Sequence, residues 1–137
     1  MSQQPIRIIL LLILSSIVLS ACNLQFGSPT PIPTPDIPTV RFLFPENGSS
    51  VIQGTDLTIE IVGEDSRDGV ARIELLVNDL LHQEGRPLQA IAVPVFTVQL
   101  NWLAEIPGFH SFTAIAYRAD GTASAPVTIQ INVLARE

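Results

Sequence analysis

Three kinds of side chain in this 137-residue sequence have chemistry to offer: one thiol, two imidazoles and a short run of carboxylates. The thiol belongs to Cys22, the sole cysteine, which follows Leu19-Ser20-Ala21 at the end of the apolar run Ile8 to Leu19. A cysteine thiolate is a nucleophile and can be alkylated to a thioether. With no second cysteine, a disulfide within the chain is excluded. The carboxylates lie in Glu64-Asp65-Ser66-Arg67-Asp68-Gly69. A hard cation such as Ca²⁺ takes six to eight oxygens. The spacing here is not that of a calcium-binding helix-loop-helix, and Arg67 puts a positive charge in its middle, so a solvated turn is expected. His82 and His110 stand beside apolar stretches with no Cys or second His at ligand spacing, which argues against zinc. Ser111 adjoins His110, but neighbours on a strand face opposite ways, so the two do not form a nucleophile and its base. No catalytic residue, metal ligand or cofactor is expected.

Leu19-Ser20-Ala21-Cys22 resembles the lipobox of a bacterial lipoprotein signal peptide. The flanks agree with it. Arg7 is the sole charged side chain ahead of the apolar run and supplies a positive n-region. The run itself is about a dozen residues long, short of the roughly 20 that a membrane-spanning helix needs. Ser20 and Ala21 are small, as a peptidase subsite requires. The resemblance implies that residues 1–21 are a signal peptide to be removed. Cys22 would then become a lipidated N-terminus, held on the extracytoplasmic side of a bacterial membrane. Two or more acyl chains give stable anchoring where one is marginal. An ordinary signal peptide with a chance cysteine and an uncleaved anchor are the alternatives, and the sequence leaves open which membrane would hold the lipid.

Residues 22–38 read as a linker. The stretch Ser28 to Thr39 holds five of the chain's 11 prolines. Each proline fixes φ and lacks an N–H, so helix and central strand are both disfavoured, and polyproline II is expected at about 3.1 Å per residue. A spacer suits this composition better than a proline-rich ligand. Beyond residue 21 the chain has six arginines, no lysine and 13 acidic residues, a formal charge of −7. Such a surface repels phosphate backbones and anionic headgroups, so nucleic acid is not an expected partner and lipid must carry any membrane attachment.

From Thr39 onward the sequence takes up period two. Val40, Phe42 and Phe44 alternate with Arg41 and Leu43; Leu57, Ile59 and Ile61 with Thr58, Glu60 and Val62; Ile73, Leu75 and Val77 with Arg72, Glu74 and Leu76. Further on, Phe96 to Trp102, Phe112 to Ala116 and Val127 to Val133 repeat the pattern. Alternation with one apolar face predicts half-buried strands. Asn78-Asp79 is suited to turning the third strand into a short fourth, Leu80 to His82, and Asn47-Gly48 and Asp120-Gly121 suit turns that need positive φ. About seven short strands over residues 39–137 predict an all-β fold, an antiparallel two-sheet sandwich. Trp102 falls in phase with Phe96, Val98 and Leu100, so it is expected to plug the core rather than stack on a sugar. Glu84 to Pro94 has no strand pattern but carries Leu88, Ile91 and Val93. Exposed, these three would make an apolar partner surface. The blander expectation is a crossover between the sheets that packs on the core edge.

Pro45-Glu46-Asn47-Gly48-Ser49, Asp68-Gly69-Val70-Ala71-Arg72-Ile73-Glu74-Leu75, Trp102, Pro107-Gly108-Phe109-His110 and Ala114-Ile115-Ala116-Tyr117 together resemble a bacterial Ig-like domain, over roughly residues 38–134. The resemblance implies an Ig-like sandwich and carries no catalytic motif. At position 118, where that family often has an acid, this sequence has Arg118, which weakens any inherited metal site. Fold alone does not fix function. Two classes stay open: a monomeric, lipid-tethered binding or presentation module for an envelope protein or polysaccharide, or a carbohydrate-active accessory. A plain envelope spacer is the simplest variant of the first.

Overall fold

The computed structural model describes residues 36–137; the signal-peptide, lipobox and Cys22 assignments, and most of the linker, lie outside the described residues. Among the described residues there is no helix and there are eight strands. These are β1 (Thr39–Phe44), β2 (Ser50–Ile52), β3 (Asp56–Glu64), β4 (Arg72–Val77), β5 (Leu80–Gly85), β6 (Val95–Leu103), β7 (Gly108–Tyr117) and β8 (Val127–Leu134). They form a three-stranded sheet, β1-β3-β6, and a five-stranded sheet, β2-β8-β7-β4-β5. The inward residues of the period-two runs meet between the sheets. Ile59, Ile61, Leu100 and Trp102 come from one sheet, and Ile73, Leu75, Phe112 and Ile131 from the other, in one buried cluster. The sandwich forms because each sheet has a single apolar face that only the other sheet can cover.

Three local features refine the strand pattern. The eighth strand, β2, runs parallel to β8 through Ser50↔Asn132 and Ile52↔Leu134. Three residues are too few to show a period, so β2 carries no strand signal of its own. In β1 the register slips between Phe42 and Phe44. The extra residue turns the strand end, and Phe44, expected inward, is 49% exposed. The β4–β5 hairpin turns at Asn78 and Asp79, whose φ values of 50° and 65° suit a tight two-residue turn. Its second strand continues past His82 to Gly85.

β5 and β6 are edge strands of different sheets, and side chains close the seam between them. His82 Nε2 donates to the Asn101 carbonyl at 2.9 Å. The Asn101 N–H donates to Gln83 Oε1 at 3.2 Å. Gly85 permits this approach, since a Cβ there would stand 2.3 Å from Val98 Cγ2.

Pairing of Thr39 with Glu64, Glu64 with Val95, Ile73 with Gly85, Arg72 with Tyr117 and Ala114 with Val127 fixes which loops are neighbours. Residues 36–38 and the connections 65–71, 86–94 and 118–126 share one end of the sandwich. This is the proximal end, where the chain joins the sandwich.

Candidate binding surface at the proximal end

The β5–β6 connection must cross from the five-stranded to the three-stranded sheet. Packed sheets lie about 10 Å apart, whereas nine residues can span about 30 Å, so there is chain to spare. The second half of the connection is tied down. Val70 and Val93 exchange backbone hydrogen bonds of 2.8 and 3.1 Å, and the Asp65 N–H donates to the Pro94 carbonyl at 2.8 Å. Val93 is accordingly half-buried. The first half bulges outward, with Leu88 at 101% and Ile91 at 84% exposure. The expectation of a packed crossover therefore holds at Val93 and is overturned at Leu88 and Ile91. Leu88 and Ile91 crown a ridge and Val93 roots it. A hollow flanks the ridge on each side. One, of about 330 Å³, is lined by Arg72, Arg86, Ile91 and Arg118. The other, of about 410 Å³, is lined by Pro87, Leu88, Val93 and Phe96.

Beside the ridge lies an ion-pair cluster that the sequence reading missed. The carboxylate loop, expected to be a solvated turn, is in part buried. Arg118 follows β7, and its side chain is 7% exposed; that of Asp65 is 4% exposed. Arg118 Nε donates to Asp65 Oδ2 at 2.5 Å, and Nη2 donates to Asp36 Oδ1 at 3.0 Å. Arg118 Nη1 lies 3.2 Å from Asp68 Oδ2. Asp65 Oδ1 also accepts the N–H of Arg67 at 3.0 Å. Arg67 pairs with Asp36 in turn. The hydrogen bond from Arg118 holds the carboxyls of Asp65 and Asp36 below the ordinary 3.8, against the opposing effect of desolvation. Asp65 in return raises the guanidinium of Arg118. Arg118 is 53 residues from Asp65 in sequence. The available signal was topological: the end of β3 and the end of β7 fall at the same end of an antiparallel sandwich.

Residues 38–114, more than half of the chain, match the family described as bacterial Ig domain. The chain belongs to the bacterial Ig domain family. No curated protein matches it. This Ig domain is similar in fold to the fibronectin(III)-like modules of CbhA from Clostridium thermocellum, with a TM-score of 0.61 and 24% identity over 75% of this chain and 50% of that one. It is also similar to a CARDB domain from Pyrococcus furiosus solved in complex with di-metal ions, with a TM-score of 0.56 and 13% identity over 77% of this chain and all of that one. A third likeness is to an R347E mutant of the SrpA adhesin from Streptococcus sanguinis, with a TM-score of 0.53 and 18% identity over 74% of this chain and 58% of that one. The chain thus spans about half the length of the CbhA modules.

The Ig domain uses its histidines as structural groups. His110 is buried. Its Nε2 donates to the Ile106 carbonyl at 2.8 Å, which leaves Nδ1 to accept from Asn78 Nδ2 at 3.0 Å. Both ring nitrogens are engaged, and Ser111 sits on the opposite, partly exposed face. The ring packs 4.9 Å from that of Trp102, which meets Phe112 edge-on at 5.0 Å. Trp102 is the core plug its phase predicted. Among the described residues, no group of three or more His, Cys, Asp or Glu side chains is placed to hold a metal. Asp36, Asp65 and Asp68 face guanidinium groups instead.

Proposed function

We propose that this Ig domain is a non-catalytic binding or presentation module, lipid-tethered through Cys22 at the cell surface, and that the 86–94 ridge is its contact with an envelope protein. One observation carries the reading: Leu88 and Ile91 are exposed on a connection whose base is fixed by the Val70–Val93 pairing. Exposed apolar groups on a loop tied at its base lose less freedom on binding than those on a wholly free segment, and partner surfaces are where such groups are put to use. The arginines beside the ridge suit the same role, since arginine is enriched in interface cores. The tether rests on Leu19-Ser20-Ala21-Cys22 and on the proline-rich linker. Enzymatic work on carbohydrate would need two free carboxyl groups about 5–9.5 Å apart. Asp36, Asp65 and Asp68 are committed to arginine.

Two measurements test the two halves of this reading. Cys22→Ala is expected to abolish palmitate incorporation and release the protein from the membrane fraction; equal labelling of both forms would remove the anchor. A photocrosslinker at Leu88 is expected to give an adduct in intact cells that Ile91→Ser abolishes, while one at Thr128, on β8, gives none. Because both ridge residues are exposed, Ile91→Ser should leave stability within about 0.5 kcal/mol of the parent. Absence of any adduct at Leu88 would favour a plain spacer.

A further inference from the structure

The three carboxylates around Arg118 come from two places. Asp65 and Asp68 belong to the β3–β4 connection, and their pairing braces that loop. Asp36 belongs to the chain that enters the sandwich ahead of β1. Its two oxygens are divided between two guanidinium groups, Oδ1 to Arg118 and Oδ2 to Arg67. Two residues later Pro38 is among the fully buried side chains, and Thr39 Oγ1 donates to the Glu64 carbonyl at 3.3 Å. A chain merely arriving at a first strand needs none of these contacts. We propose that Arg118 and Arg67 form a latch on Asp36, which makes the incoming chain part of the domain's rigid body from Asp36 onward.

The chemistry supports a latch rather than a permanent weld. Arg118 is anchored by the buried Asp65 whether or not Asp36 is in place, so the receiving half is preformed. Asp36 itself is 52% exposed, and a pair with one exposed partner is screened by salt. Glu64, Asp120 and Arg86, at the same end, have partners of their own. Glu64 pairs with Arg41 at 3.3 Å, Asp120 accepts the Thr122 N–H at 2.8 Å, and Arg86 pairs with Glu84 at 2.6 Å. Asp36 shares its arginines with the β3–β4 loop, since Asp68 Oδ2 lies 3.2 Å from Arg118 Nη1 and 3.8 Å from Arg67 Nε. The latch does not depend on lipidation of Cys22.

A nitroxide at position 37 tests it, introduced by Ile37→Cys in protein carrying Cys22→Ser so that the label has one thiol to find. The parent is expected to give the slow spectrum of a label tumbling with the domain. Asp36→Asn is expected to shift it to the nanosecond motion of a loose segment. Arg67→Gln, which leaves the Arg118–Asp65 pair untouched, should give a partial shift, as should 1 M salt, at which the Debye length falls to about 3 Å. Asp36→Glu should restore much of the slow component. A control label at Thr128 should not change in any of these, which separates release of the latch from unfolding. Identical spectra at position 37 for the parent and Asp36→Asn would overturn the proposal and leave burial of Pro38 as the sole hold on the incoming chain.

Discussion

Replacing Arg118 with methionine is expected to lower the unfolding midpoint more than any other single polar substitution in the domain. Methionine keeps most of the aliphatic stem, so packing is largely spared. What it removes is the guanidinium facing Asp65, whose side chain is 4% exposed. Breaking a buried pair from one side leaves an uncompensated charge, and that penalty exceeds the net worth of the intact pair. The comparison that isolates this is Arg41→Met, which breaks the Arg41–Glu64 pair with side chains 61% and 48% exposed. Exposed pairs contribute about 0–1 kcal/mol, so Arg41→Met should be nearly silent. Adding Asp65→Asn to Arg118→Met should recover part of the loss, giving a large coupling in a double-mutant cycle. Equal midpoints for the Arg118 and Arg41 variants would show that the buried pair contributes nothing.

The same cluster gives a pH dependence with a definite sign. The carboxyls of Asp65 and Asp36 are held below the ordinary 3.8 by Arg118. Their contribution is fully present above that value. As pH falls below it, the unfolded chain takes up protons that the folded domain refuses, and stability declines toward the depressed folded value. Denaturant titrations from pH 7 to pH 3 should therefore be flat to about pH 4 and then fall, as far as these two groups govern them. In Arg118→Met the fall below pH 4 should be shallower, because protonating Asp65 there relieves an unpaired charge.

Trp102→Ala is the second large effect, expected to cost about 3–5 kcal/mol. The ring is buried and bridges the sheets, tilted against His110 and edge-on to Phe112. Its removal deletes two aromatic contacts and leaves a cavity that neighbouring strands cannot close, since both sheets are held by their own ladders. Domains are stable by only about 5–15 kcal/mol, so the variant should remain folded in water yet unfold at markedly lower urea. Trp102 is the sole tryptophan, so the comparison is read by circular dichroism rather than fluorescence. A loss below about 1 kcal/mol would contradict a core role. Trp102→Phe should lie between the two, since a smaller ring fills part of the same space.

Local patterns were legible from sequence and long-range partnerships were not. Alternation placed Ile59, Ile73, Phe112 and Ile131 inward because the period of a strand is a property of the chain itself. Asn78-Asp79 announced its turn because these residues tolerate positive φ. Phe44 was misjudged because a bulge adds a residue without altering composition. β2 went unseen because three residues paired to a distant strand leave no period. Asp65 reads in sequence as a solvated turn residue because its partner lies far along the chain, and burial of a charge depends on that partner. At the ridge, Leu88 and Ile91 have the composition of packed residues, and only the excess length of the crossover reveals that they point away from the core.

The seam between β5 and β6 has a bearing on how such domains live side by side. An edge strand with open backbone groups invites a second copy to zip onto it. At Asn101 both backbone groups of β6 are already occupied, by His82 and by Gln83. A second copy approaching this flank would meet no free ladder group at Asn101 and would have to displace His82 and Gln83 before it could pair there.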